Sequence, residues 1–282
     1  AGWWEFPGGK LEKNETPRCA LDREIYEELG VKVVGAEQWV TRRFSYEDTD
    51  VILYFFKIFK WNGDAISKEG QLLSWELFEK IDLSKVLPPN KFVVGAINFP
   101  DHYAITNLSE TPLSLFTQQL ETRIKNGTKL IQIREKDLTD DEFINFAKRV
   151  IKFCKGRNVK VMINSKIKLA YELSADGVHL NSKQIHDIDK FPKDLIVGAS
   201  CHNMKDLDAA EKKGANFAVL SPINKTLSHP KASSIGWDTF SSLAIKYTMP
   251  IYALGGMTLK DVKRAQSAGG IGVASQRDVW NN

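Results

Sequence analysis

Gly9-Lys10-Leu11-Glu12-Lys13-Asn14-Glu15, with Arg23-Glu24-Ile25-Tyr26-Glu27-Glu28-Leu29-Gly30-Val31 completing the same stretch, decides how the first part of this chain folds. Thr16 and Pro17 read as the cap and first residue of a helix, and Gly30 as its left-handed stop. At about 100° per residue, Leu21, Ile25 and Leu29 form one apolar stripe, and Glu24, Glu27 and Glu28 fill an adjoining arc roughly 100° wide. Two of these carboxylates fall in the last turn, where the helix dipole disfavours negative charge. Like charges one turn apart cost about a few tenths of a kcal/mol more. A solvated charged face would find partners only in Arg18 and Arg23. A divalent cation offsets the crowding directly, and hard carboxylate oxygens select Mg²⁺ or Mn²⁺.

The 282 residues are 43% hydrophobic and 26% charged, enough for two globular cores. The net charge of +4 is spread over scattered lysines. That distribution argues against direct nucleic-acid binding and for a small phosphate ester as the anionic partner. Cys19, Cys154 and Cys201 lack both disulfide-framework and zinc spacing, which points to a reducing compartment. With no membrane-length apolar run and no signal peptide, a cytoplasmic protein without membrane contact is expected. The sequence starts at Ala1 rather than Met and reaches its first motif at once, which reads as an N-terminally truncated first domain.

Beyond the helix, Val31 to Val34, Gln38 to Phe44 and Val51 to Phe59 read as strands, with a polar turn from Ser45 to Asp50. Leu72 to Phe78 reads as a further strand leading into a short helix, and Pro88-Pro89 as the punctuation of its exit. From Tyr103 the rhythm changes. Strand-like runs recur at 103–106, 130–134, 161–164, 177–180, 196–200, 217–221, 251–255 and 271–274, each followed by a helical pattern. Spacings of about 15–35 residues fit βα units. Eight such units favour a closed (β/α)8 barrel over a doubly wound open sheet. The predicted domains are residues 1–97 and 98–282.

The pattern G-x5-E-x7-R-E-U-x-E-E-x-G-U, with U aliphatic, is met at every fixed position from Gly9 to Val31. This is the Nudix box, and the first domain resembles Nudix hydrolases of the MutT, 8-oxo-dGTP diphosphatase, type. Trp4-Glu5-Phe6-Pro7-Gly8-Gly9-Lys10, Lys68-Glu69-Gly70-Gln71 and Pro88-Pro89-Asn90 carry the closer likeness. The resemblance implies an α/β/α sandwich in which Glu24, Glu27 and Glu28 bind Mg²⁺ with the Gly8 carbonyl and Glu69. Arg23 would orient the glutamates, Glu15 would support the loop, and Phe6 and Asn90 would hold the base of a nucleoside triphosphate. It also implies a β-hairpin ahead of Trp3, so that a chain beginning at Ala1 would be less active than a longer form.

In a barrel, functional residues gather at the C-terminal strand ends. Those ends supply Gln132, Arg134, Lys136, Asn164, His179, Ser200, His202, Thr226 to His229, Gly255, Gly256, Ala274 and Ser275. Gly255-Gly256 and the residues after the last strand occupy the usual phosphate position, with Arg134 and Lys136 adding positive charge. Tyr103-Ala-Ile-Thr106, Gln132-Ile-Arg-Glu-Lys136, Asp176-Gly-Val-His-Leu180, Ser200-Cys-His202 and Leu254-Gly-Gly-Met257 make this half similar to thiamine phosphate synthase and its TenI-like relatives. In the synthase an Asn-Asp pair and a later Asp help bind Mg-pyrophosphate. Here those places hold Asn164-Ser165 and Gln184, so synthase chemistry is not expected. The TenI-like branch implies instead a thiazole or other small phosphate ligand, either turned over with His202 as a proton shuttle or bound by a barrel that acts as a non-catalytic phosphate-metabolite module. Ser228-His229-Pro230 and Gly236-Trp237 look like the group in which a MutT-like and a TenI-like half are fused.

Overall fold

The computed structural model describes residues 2–45, 49–225 and 233–280. They form two compact units, Ala1–Asn98 and Phe99–Asn282. Thr226 to His229 and Ser228-His229-Pro230, singled out in the sequence, fall outside the described residues.

The first unit opens on helix α1, Pro17–Leu29. Its ends follow the expected chemistry. The Thr16 hydroxyl accepts from the Cys19 N–H, and Gly30 is left-handed (φ 71°) with its N–H on the Tyr26 carbonyl. Strands β1, Lys32–Ser45, and β2, Asp50–Asn62, pair antiparallel. The two runs expected at 31–34 and 38–44 are therefore one strand. Register shifts between Val33 and Ala36 and between Gln38 and Val40 account for the apparent break. Ile25, Val31 and Val33 form the small core, with Leu21, Leu29 and Ile58 against it.

Two sequence expectations need correcting in this unit. Leu72 to Phe78 is not a strand: no strand pairs with it among the described residues, and Leu72 and Trp75 are about four-fifths exposed. Pro88-Pro89 does not end an element but opens helix α2, Pro88–Ala96, where missing N–H groups cost nothing. Trp4 exchanges backbone hydrogen bonds with Lys85 and Leu87 (2.8 and 3.0 Å), tying the segment before the box to the entry of α2.

The second unit is a closed parallel barrel. Its strands are β3 (His102–Ile105), β4 (Leu130–Ile133), β5 (Lys160–Asn164), β6 (Gly177–Leu180), β7 (Ile196–Cys201), β8 (Phe217–Leu220), β9 (Ile251–Leu254) and β10 (Gly272–Ser275). β10 closes on β3 through Val273↔His102 and Ser275↔Ala104. The doubly wound alternative is thereby excluded. Most strand residues are fully buried, because each strand has barrel interior on one face and helices on the other.

Tyr103, Phe217, Tyr252 and His179 fill the interior, with ring centroids 5.2 to 6.0 Å apart. A Cβ on Gly198 would overlap the Phe217 ring, so the bare strand position and the large ring are one packing decision. Outside the barrel, helix α3 (Leu113–Lys125) and helix α4 (Asp140–Cys154) contribute Phe116 and Phe146 to the main core. Trp280 packs on Phe116 and donates its indole N–H to the Ile105 carbonyl at 2.6 Å. After the short helix α5 (Ile167–Glu172), the later helices that matter for the site are α6 (Ser182–Asp187) and α7 (Met204–Lys212). No helix among the described residues is long and apolar enough to cross a membrane.

Candidate functional sites

The first site grows from α1. Arg23 is its hub. Its guanidinium donates to both Glu15 oxygens (3.0 and 2.9 Å), to Glu24 Oε1 (2.8 Å), to Glu27 Oε2 (3.3 Å) and to the Lys10 carbonyl (3.0 Å). This bonding raises Arg23's pKa and lowers that of Glu15, whose Oε2 also accepts from the Glu12 N–H. The expected supporting role of Glu15 thus has a geometry. It fixes the arginine that in turn holds two glutamates.

Glu28 faces the other way. Its Oε2 accepts from the Gly8 N–H at 3.2 Å, so the Gly8 backbone reaches this carboxylate. Lys68 and Ile66 donate backbone N–H groups to the Glu28 and Leu29 carbonyls, and Gln71 Nε2 adds a third bond, to Glu28 O. Free carbonyls at a helix end need such donors, and meeting that need brings Glu69 beside Glu28. Burial raises the Glu28 carboxyl pKa, and the charges of Glu69, Glu24 and Glu5 push it the same way, against the Gly8 hydrogen bond. A carboxyl raised in the fold contributes stability below its unfolded pKa, and loses it as pH rises through the folded value. Metal-free Glu28→Gln protein is therefore expected to melt above metal-free wild type at pH 7, with the gap narrowing in acid. Thermal unfolding in chelator at pH 7 and pH 4 checks this, and a lower midpoint for the variant at pH 7 would contradict it.

The donor set fits a hard divalent ion: carboxylates on one helix, a further Glu on a pinned loop, and the Gly8 backbone. Glu24 and Glu27 are turned to Arg23 and Glu28 to the Gly8 N–H, and no three acidic, His or Cys groups among the described residues converge on one point. Gly9 supplies a second constraint, since a Cβ there would overlap the Glu24 carboxylate. Gly9→Ala should displace Glu24 and weaken Mn²⁺ affinity about tenfold, at little cost in stability because a flexible side-chain end is what moves. Isothermal titration reads this, with unchanged affinity as the contrary result. Phe6 packs obliquely on Phe78 (6.3 Å), and Asn90 sits partly buried in the first turn of α2. The Trp4 pairing brings their two segments alongside each other.

The second site is a cavity of about 810 Å³ at the C-terminal ends of the barrel strands. Gln132, Arg134, Lys136, Asn164, His179, Ser200, His202, Gly255, Gly256, Ala274 and Ser275 all line it, as the sequence placed them. Gly255 (φ 113°) and Gly256 (φ 68°) are left-handed, and a Cβ on Gly255 would come within 2.8 Å of the Ile223 nitrogen. Burial lowers the Arg134 pKa against the opposing charge of Glu135, and its guanidinium makes no direct ion pair among the described residues. Ser275 is a partial exception. Its hydroxyl is buried on His102 Nε2 (2.7 Å), leaving its backbone to meet a ligand.

His179 bonds Tyr103 OH through Nδ1 (3.2 Å) and Ser200 Oγ through Nε2 (2.9 Å). Burial, reinforced by the Arg134 charge, pushes its pKa down to about 3, so it is neutral at physiological pH. Gln184 donates to the Ser165 carbonyl (2.7 Å) and accepts from the Asn181 N–H (3.2 Å), and Asn164 accepts from Gln132 (3.2 Å). The positions that would carry synthase carboxylates hold neutral groups engaged with one another. His202 Nδ1 lies 2.9 Å from the Ser221 carbonyl. Sequence reading missed Tyr103, Ser221 and Asp206 as site-building residues. Of these only Asp206 carried a signal, three positions after the capping Asn203.

Comparison with known proteins agrees with this division. The family model described as thiamine monophosphate synthase matches residues 102–279, and the NUDIX domain model matches residues 1–96. The Aquifex aeolicus (strain VF5) protein provisionally named thiamine-phosphate synthase 2 is 37% identical over 180 residues, 63% of this chain and 96% of that protein. The thiamine phosphate pyrophosphorylase structure from Pyrococcus furiosus has a TM-score of 0.54 at 22% identity, covering 64% of this chain and 89% of its own. A MutT structure from work on Aliivibrio salmonicida and Vibrio cholerae is 30% identical over 33% of this chain and 73% of its own, with a TM-score of 0.29.

Proposed function

Because the chain belongs to the thiamine monophosphate synthase/TenI family through its barrel and carries a Nudix domain ahead of it, we propose a bifunctional protein. Its first half is a Mg²⁺-dependent pyrophosphohydrolase acting on oxidised purine deoxynucleoside triphosphates, with 8-oxo-dGTP as the leading substrate and pyrophosphate as a product. Its second half binds a small phosphate monoester. The observation that carries the first reading is the docking of loop 66–71 on the carbonyls ending α1, which sets Glu69 beside Glu28 and Gly8.

Glu24, Glu27, Glu28, Glu69 and the Gly8 carbonyl are the groups to hold the cation. When bound, Mg²⁺ neutralises phosphoanhydride oxygens and acidifies a water. Arg23, itself fixed by Glu15, orients Glu24 and Glu27. A carboxylate oxygen of Glu28 or Glu69 takes the water's proton. Phe6 packs against the base, and the Asn90 amide, with one donor and one acceptor face, reads its edge.

In the barrel, Arg134, Lys136 and the backbone of Gly255, Gly256 and Ser275 bind the phosphate. Arg134 supports this most directly, as a partly buried cation in the cavity wall that makes no direct ion pair among the described residues. His202 Nε2 moves the proton. A turnover panel of 8-oxo-dGTP, dGTP, thiamine pyrophosphate and ADP-ribose with Mg²⁺ tests the first half. Preference for 8-oxo-dGTP is expected, and preference for thiamine pyrophosphate would overturn it in favour of a thiamine-pathway role.

A further inference from the structure

Asp206 lies in the first turn of α7, its side chain buried (6% exposed) and each oxygen in use. Oδ2 accepts the His202 backbone N–H at 2.9 Å and the Asn203 amide at 3.3 Å. Oδ1 accepts from His186 Nε2 on α6 at 2.9 Å. The backbone N–H of Asp206 returns to Asn203 Oδ1 at 3.0 Å, so one carboxylate closes the turn that carries His202 and ties it to the neighbouring helix. Beyond that turn, the Ser221 N–H binds the Cys201 carbonyl at 3.0 Å, aligning the ends of β7 and β8. The His202 ring then meets the Ser221 carbonyl at 2.9 Å through Nδ1, with Ser221 Oγ at 3.5 Å from the same atom. A carbonyl only accepts, so Nδ1 must carry the hydrogen. The neutral ring is left with its lone pair on Nε2.

We propose that Asp206, braced by His186, is a positioning residue that holds His202 in the Nδ1–H tautomer, with Nε2 available as a proton acceptor in the barrel cavity. This rests on the reading of His202 as the proton carrier only for its functional meaning, not for its geometry. Free histidine favours the opposite tautomer, so the arrangement leaves a spectroscopic mark. An ordinary helix cap would lower stability when removed without touching that mark.

Long-range ¹H–¹⁵N NMR of the full chain reads the ring nitrogens of His202 directly, with His202→Gln assigning the signal. Wild type should show a pyrrole-type Nδ1 and a pyridine-type Nε2. In Asp206→Asn the amide nitrogen cannot accept, one anchor is lost, and the Nδ1–H population should fall at least about threefold. His186→Ala, which leaves the α7 cap in place, should move the signal in the same direction, and it serves if Asp206→Asn does not fold. A wild-type ring protonated on Nε2, or an unchanged Nδ1–H signature in a folded variant, overturns the proposal. A locked Nδ1–H ring in a barrel that turns nothing over would defeat the proton-carrier reading and leave the positioning role standing.

Discussion

Glu27→Gln and Glu28→Gln should each lower Mg²⁺-dependent pyrophosphate release at least about 100-fold while leaving α1 helical. The size follows from what is removed. Glutamine keeps the length and shape of glutamate but gives a divalent ion a neutral oxygen in place of an anionic one. A group that helps hold the cation or takes the water's proton contributes about two to four orders of magnitude. Packing changes little, because Glu27 is about half exposed and Glu28 keeps an oxygen for the Gly8 N–H. The stability effect even has the opposite sign at Glu28, where ionisation is disfavoured by burial and by Glu69, Glu24 and Glu5. Loss of turnover together with a higher metal-free melting point separates a metal-binding carboxylate from a structural one. Circular dichroism and a phosphate-release assay after coupling to inorganic pyrophosphatase measure both. Retained turnover in both variants would remove the glutamates from the chemistry.

Phe217→Ala should cost the barrel about 3–5 kcal/mol. Phe217 is fully buried and meets the rings of Tyr103, Tyr252, His179 and Phe99. Gly198 cannot close the resulting void, having no side chain, and neighbouring strands are fixed by the closed ladder. The void would also loosen His179, whose bonds to Tyr103 and Ser200 form the floor of the cavity. Urea unfolding gives the stability change. The exposed Phe59 is the control, expected to lose about 0.5 kcal/mol or less on replacement by alanine. A Phe217→Ala cost no larger than that control would contradict the packing account.

How legible the molecule was from its sequence differs between the two units for a physical reason. Barrel strands are covered on both faces, so each is a short continuous apolar run, and the predicted positions match β3 to β10 within about one residue at each end. In the first unit, Leu72-Leu-Ser-Trp75-Glu-Leu77-Phe78 has a strand's composition, but composition needs a partner. Trp75 stacks on Trp61 at 6.0 Å instead of pairing in a sheet. Pro88-Pro89 misled in the opposite sense, because proline punctuates a helix interior yet suits its first turn.

At the sites, residue identities were legible and their partners were not. The box spacing located Arg23, Glu24, Glu27 and Glu28, since they share one helix. Placing Glu69 beside Glu28 depended on a loop 41 positions downstream reaching the end of α1. In the barrel, alternation along a strand identifies a residue near the mouth without saying which neighbour its polar atoms choose. Ser275 turned its hydroxyl to His102, and His202 turned its Nδ1 to the Ser221 carbonyl just past the adjacent strand. Such choices depend on cross-strand register, which no local pattern encodes.

Manganese titration followed by electron paramagnetic resonance tests the central claim most directly, because it sees the cation without depending on the substrate. Wild-type protein should bind Mn²⁺ saturably, and Glu28→Gln should weaken that binding about tenfold or more. Wild-type protein that leaves Mn²⁺ free in solution, or a variant that binds it as tightly as wild type, would contradict the claim that this helix exists to hold a metal ion.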